Sequence, residues 1–215
     1  MCEIGIFTFN AFQENTYVLY DETKECVIID PGCSNREEEK RLVNFIEKKG
    51  LKPVRLIMTH GHVDHMLGNA FVVDKYNLEI EIHGDEVPVL MMSPQVGRMY
   101  GFPVTPSPTP NPDKYIKAGD VLTFGNTSLK ALLTPGHSPA SVSFYCEAGN
   151  FVIGGDVLFR QSIGRTDLPG GNFNTLINSI KTELYPLGDE VKVFPGHGPD
   201  TTIGFEKKHN PFLNQ

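Results

Sequence analysis

The sequence predicts an α/β fold built as a single domain. After an opening strand meander, an amphipathic helical run, a strand, a second helical run and a further strand follow in succession, which suggests an α/β arrangement and not a pure sandwich. Glycine, proline and asparagine fall between those runs, where turns belong. The chain has 215 residues, an apolar fraction of 40%, 14 Phe and 7 Tyr, enough for a substantial core without disulfides or a structural metal.

Taken in order, residues 3–9, 16–20 and 25–30 read as three strands, with Gln13-Glu14-Asn15 and residues 21–24 as polar turns between them. Asp30-Pro31-Gly32 ends the third strand. Ser34 and Glu37 have the spacing of a capping box for a helix that carries Leu42, Val43, Phe45 and Ile46 on one face. Lys48, Lys49 and Gly50 close it, with cations near the negative helix end and glycine just beyond. A strand over 53–59 then runs into Thr59-His60-Gly61-His62-Val63-Asp64-His65, and a second helix is expected from about His65 to Tyr76.

After a short strand over 79–83, residues 84–114 read as a Met- and Pro-rich loop insertion in the domain that spans 1–215. Pro103, Pro106, Pro108, Pro110 and Pro112 exclude regular structure over their stretch. Met91, Met92, Met99, Tyr100 and Phe102 fit either a loop laid over the core or an adaptable pocket wall. Strands follow at 121–124, 127–134, 141–146 and 150–154. Leu176, Ile177, Ile180 and Leu184 mark one face of a helix over about 174–187, which ends at Gly188.

The net charge of −7 and the absence of a Lys/Arg run argue against nucleic acid as a partner. No run of 18 apolar residues is present, and the first residues lack a basic segment followed by an apolar stretch. A cytoplasmic protein with no membrane partner is therefore expected. Cys2, Cys26, Cys33 and Cys146 form no framework and read as reduced thiols.

His60, His62, Asp64 and His65 place three imidazoles and a carboxylate within six residues, a donor set that suits borderline metals such as zinc. So short a segment cannot wrap all four groups around one ion, so a second centre and more distant ligands are expected. His137, Asp156 and His197 each follow a strand-like run and sit beside glycine. His83 and His209 lack that setting and read as ordinary residues.

The pattern His-x-His-x-Asp-His followed by a distant His, Asp and His resembles the metallo-β-lactamase superfamily, and the likeness runs from the first strand to His197. The resemblance implies a four-layer αβ/βα sandwich, two mixed sheets flanked by helices. It also implies one metal on His60, His62 and His137, a second on Asp64, His65 and His197, and Asp156 bridging both. Asp30 would be a supporting residue or a plain turn. The expected cofactor is a pair of divalent ions, zinc first, with iron or manganese as alternatives. Two such ions can present a shared hydroxide to a carbonyl, and a thiolate leaving group needs little protonation. Asp64 and Asp156 are thus the expected catalytic carboxylates.

Within the superfamily, enzymes that split β-lactams usually lack the bridging Asp, so Asp156 counts against that branch. Gly155-Asp156-Val157-Leu158-Phe159 through Gly164-Arg165-Thr166-Asp167 is similar to the glyoxalase II group. There a basic residue near this position holds a substrate carboxylate, a role open to Arg165, as is clamping its own loop through Asp167. Only 18 residues follow His197, so the chain resembles the short, single-domain glyoxalase II-like proteins. The expected function is a binuclear hydrolase of a small acyl thioester, of the hydroxyacylglutathione hydrolase kind. The alternative is an oxidoreductase like the persulfide dioxygenases, with one ferrous iron on His60, His137 and Asp156.

Overall fold

A computed structural model describes residues 2–214. Where a single domain over 1–215 is expected, the chain divides into two compact units. One comprises the residues up to 116 with 123–127, the other residues 117–122 with those from 128 onward. Each has its own mixed sheet and its own apolar core.

In the first unit, β1 (Glu3–Phe9), β2 (Glu14–Tyr20), β3 (Glu25–Ile29), β4 (Lys52–Ile57) and β5 (Ile80–Glu81) lie side by side in chain order. The first three pair antiparallel, and β3, β4 and β5 pair parallel. The parallel steps need crossovers. α1 (Arg36–Lys49) supplies the first, and α2 (Val63–Met66) with α3 (Asn69–Tyr76) the second. Val18, Ile28, Leu42, Ile46, Leu56, Met58 and Val72 form the core between these elements.

Four expectations need correction here. Glu14 is not in a turn: the turn is Asn10–Gln13, closed by left-handed Asn10 and Gln13 (φ 49° and 57°), and Glu14 opens β2 fully buried. The cap of α1 is Asn35, whose side chain accepts from the N–H of Glu37 and Glu38, while Ser34 donates to Glu38 instead. The helix expected from His65 to Tyr76 is two helices, because Gly68 must approach the Asp30-Pro31-Gly32 turn. Its N–H donates to the Pro31 carbonyl at 2.7 Å, and a Cβ there would lie 2.3 Å from Cys33 Sγ. Finally, much of the 84–114 insertion is helical. A 3₁₀ turn at Gly84–Glu86 leads into α4 (Val87–Met91) and α5 (Ser93–Tyr100). Pro88 and Pro94 fall in first turns, where a missing N–H costs nothing, so they start helices here and do not break them.

The remaining strands, which apart from residues 123–127 belong to the second unit, are β6 (Val121–Phe124), β7 (Thr127–Leu133), β8 (Val142–Cys146), β9 (Phe151–Gly155), the small hairpin β10 (Leu158–Phe159) and β11 (Ser162–Ile163), β12 (Lys192–Pro195) and β13 (Thr201–Thr202). The sheet order is β13-β12-β9-β8-β7-β6, with β9 and β12 parallel. α6 (Phe173–Ser179) continues through a π-helical stretch, Ile180–Leu184, and a 3₁₀ turn, Tyr185–Leu187, to Gly188. One apolar face, Leu176, Ile180 and Leu184, is fully buried with Val152, Leu158, Val193 and Ile203. A last helix, α7 (Ile203–His209), has no counterpart in the sequence expectations, being shorter than the window that reveals helical periodicity. Among the described residues, no helix is long and apolar enough to cross a membrane.

Candidate metal centre

The first unit presents His60, His62, Asp64 and His65 just past the C-terminal end of β4, where the chain leaves the sheet and enters α2. The His60 ring lies 4.7 Å from that of His62 and 4.2 Å from that of His65, centroid to centroid. His60 and His65 are fully buried; His62 and Asp64 are partly exposed.

Asp30 organises this cluster. Its Oδ1 accepts the Thr59 N–H at 2.7 Å, and its Oδ2 accepts the Thr59 hydroxyl at 2.5 Å and lies 3.0 Å from His65 Nδ1. A carboxylate can only accept, so His65 carries its proton on Nδ1 and turns Nε2 the other way. The Thr59 hydroxyl, its proton given to Asp30, can only accept from His60 Nδ1 at 2.9 Å, which fixes the same tautomer there. Asp30 itself is left-handed (φ 48°), a conformation Asp tolerates better than most residues. It is therefore more than a turn residue.

Three further groups hold the loop. Asn10 Nδ2 donates to the carbonyls of Gly32 and Asp64, both at 2.9 Å. The Gly61 N–H donates to Oε2 of the fully buried Glu86 at 2.9 Å, and a Cβ at Gly61 would lie 2.6 Å from the Leu90 nitrogen. Glu14 lies behind His65, with Oε1 3.9 Å from Nδ1 and no hydrogen-bond partner, and its Oε2 meets Thr16. Burial pushes the Glu14 carboxyl well above the usual carboxylate range.

The second unit presents His137 between β7 and β8, Asp156 after β9 and His197 after β12. Asp156 Oδ2 lies 3.5 Å from His137 Nε2 and 3.6 Å from His197 Nε2. His137 Nδ1 donates to the Arg165 carbonyl at 2.8 Å, which leaves Nε2 facing Asp156. Gly164 makes room for this arrangement, since a Cβ there would collide with the Asp156 carbonyl and lie 3.1 Å from His137 Nδ1. In the first unit, Asp64 Oδ2 stands 3.6 Å from His65 Nε2.

Separations of 3.5–3.6 Å are long for charge-assisted hydrogen bonds. They are close to the edge of a tetrahedron, about 3.3 Å, around an ion with bonds of about 2.0–2.1 Å. Imidazole nitrogens turned outward by hydrogen bonds to their far side, with carboxylate oxygens at the spacing of neighbouring ligands, are a donor set that fits divalent metal.

Residues 9–197 match the sequence profile of the metallo-beta-lactamase superfamily. The chain belongs to that superfamily. The hydroxyacylglutathione hydrolase GloC of Haemophilus influenzae is 37% identical over 213 residues, 98% of each chain. Among solved structures, the BLEG-1 B3 metallo-beta-lactamase superposes with a TM-score of 0.89 at 37% identity, covering 99% of this chain and all of that one. TTHA1623 in a di-iron-bound form superposes at 0.86 and 36% identity, over 97% and 100%. These likenesses show the metallo-β-lactamase fold, α/β with two mixed sheets flanked by helices, and a metal-binding hydrolase family. GloC and BLEG-1 are equally similar in sequence, so overall likeness does not separate their two chemistries.

In this superfamily member the sequence signals of the candidate ligands were plain, whereas the residues behind them were not. Glu14 and Glu86 sit in segments read as turn or loop and only their burial reveals them, while Asn10 is marked by its two hydrogen bonds to the loop. The available signal for Glu14 was its place at the head of Tyr17-Val18-Leu19-Tyr20, an apolar run in which a carboxylate has no solvent. Arg165 meets Asp167 through two parallel hydrogen bonds, 2.7 and 2.8 Å. That pair holds the Asp167 carboxyl down at about 2.

Proposed function

We propose that this chain is a cytoplasmic, binuclear metal-dependent hydrolase of small acyl thioesters. In this reading His60, His62 and His137 would hold one ion, Asp64, His65 and His197 the second, and Asp156 would serve both. The observation that carries it is the Asp156 carboxylate with one oxygen 3.5–3.6 Å, the spacing of neighbouring ligands, from two imidazole nitrogens, His137 and His197. The donor set of the histidine loop and the di-iron form of a relative at 36% identity support the same reading. Zinc fits these nitrogen and oxygen donors best, with iron and manganese as alternatives.

When bound, a pair of such ions lowers the pKa of water and withdraws charge from a carbonyl oxygen. The chain's own work is to hold the donors ready. Asp30 and Thr59 lock the two buried imidazoles of the loop, and the Arg165 carbonyl locks His137. Asp64, the partly exposed carboxylate of the set, is placed to pass a proton to a leaving group that needs one. For Arg165 the loop-clamp reading fits the Asp167 pair, and a substrate carboxylate would have to share that guanidinium.

The thioester is favoured because no separate general acid is required for a thiolate, and because GloC carries that activity in its name. The test compares three substrates on metal-loaded protein: hydroxyacyl thioesters of a small thiol peptide, a chromogenic cephalosporin, and a persulfide with oxygen consumption followed. Thiol release at a kcat/KM at least about 100-fold above that for the cephalosporin is expected, about 2.7 kcal/mol of preference. Faster β-lactam opening, or oxygen uptake without thiol release, would overturn it.

A further inference from the structure

The residues after His197 lie beyond the stretch that matches the superfamily, yet they reach back to the candidate centre within their own unit. Glu206, on α7, is fully buried. Its Oε2 accepts the Gln161 N–H at 2.9 Å and the Asn210 side-chain amide at 2.8 Å, and its Oε1 accepts the Thr201 hydroxyl. The same Asn210 amide donates to the Ser162 carbonyl at 2.9 Å. Gln161 is the left-handed residue (φ 56°) in the turn of the β10–β11 hairpin, and Ser162 opens β11. A strained turn and one rung of a two-residue strand are thus tied to a buried carboxylate that has no water to fall back on.

Three residues beyond Ser162 comes Arg165, whose carbonyl fixes the His137 tautomer. Between them Gly164, with no room for a Cβ against Asp156 and His137, gives the chain a single path. We infer that Glu206 and Asn210 are positioning residues for the metal centre, acting through the β10–β11 hairpin to hold the Arg165 carbonyl against His137 Nδ1. The inference rests on the reading of His137 as a ligand, but the clamp itself is independent of any metal. Nothing in Glu206 touches substrate or ion; its effect is on which nitrogen His137 offers.

The experiment uses the full chain with Glu206→Ala, Asn210→Ala and, as a control on the same helix as Glu206, Lys207→Ala, which removes an ion pair to Asp189 without touching the hairpin. Imidazole nitrogen spectra of metal-free protein report the His137 tautomer, and competition with a chromophoric chelator reports zinc affinity. The wild type and Lys207→Ala show a single Nδ1–H form. In Glu206→Ala and Asn210→Ala that form gives way to a mixture, and zinc affinity at the site falls about 10-fold, the lower end for loss of outer-shell support. The double variant adds little to either single one, since both act on one hairpin. If Glu206→Ala does not fold, Asn210→Ala alone decides. Folded variants with unchanged tautomer and unchanged affinity overturn the clamp. A wild type that binds no zinc while its tautomer still responds to the variants would instead count against the metal reading and leave the clamp standing.

Discussion

An imidazole offers a metal one nitrogen reliably only when the other is committed elsewhere, and three histidines here are committed by three different acceptors. His65 uses a carboxylate, His60 a threonine hydroxyl and His137 a backbone carbonyl. The histidines themselves were legible in the sequence because their spacing is unusual. Their acceptors were not, since a threonine and an arginine carbonyl carry no sequence mark of that use. Glu14 belongs to the same scale: burial pushes its carboxyl well above the usual carboxylate range. Glu14→Gln should change the stability of metal-free protein by less than about 1 kcal/mol, whereas Glu14→Ala, which leaves a void behind His65, should cost about 2–3 kcal/mol. Denaturant titration of both variants checks this, and equal losses would contradict it.

Among the elements, those with clean periodicity were foreseen within a residue or two: β1, β3, α1 and the four strands from β6 to β9. What escaped was set by tertiary contact. The break between α2 and α3 exists because Gly68 must meet the Pro31 carbonyl, and the 3₁₀ turn and α4 carry Glu86 and Leu90, which back the histidine loop at Gly61. The 84–91 stretch is in this respect a support, while Phe12, Tyr100 and Phe102, in edge-to-face and stacked contact, line or flank a cleft of about 280 Å³ with Asn10 and Leu67. The turn between β6 and β7 gives a prediction at this scale. Burial alone would raise the Asp21 carboxyl, but hydrogen bonds from Thr23, Thr127 and Asn126 outweigh it and bring its pKa to about 2. A depressed folded-state value stabilises the fold above the unfolded value, near 4, and that contribution is lost as pH falls towards 2. Asp21→Asn should be less stable than wild type by about 1–3 kcal/mol at pH 7, with the gap narrowing between about pH 4 and 2. A pH series of denaturation midpoints with a constant gap would contradict the assignment.

For the whole molecule, the fold class followed from alternation of strands and helices, and the superfamily from seven residues. The division into two compact units did not, because chain order says nothing about where one core stops and another begins. Each unit carries half of a proposed ligand set, and every half is prepared by residues of its own unit: Asp30, Thr59, Asn10 and Glu86 in one, the Arg165 carbonyl and the Glu206 clamp in the other. The central claim is that these donors hold two ions with Asp156 between them. The measurement that tests it most directly is metal content of protein expressed with zinc, iron and manganese all supplied, for the wild type and for Asp156→Ala. About two ions per wild-type chain, falling to one or none with loss of turnover in Asp156→Ala, is the predicted result. A single iron per chain with zinc excluded, or an Asp156→Ala protein with full metal and near-normal turnover, would contradict it.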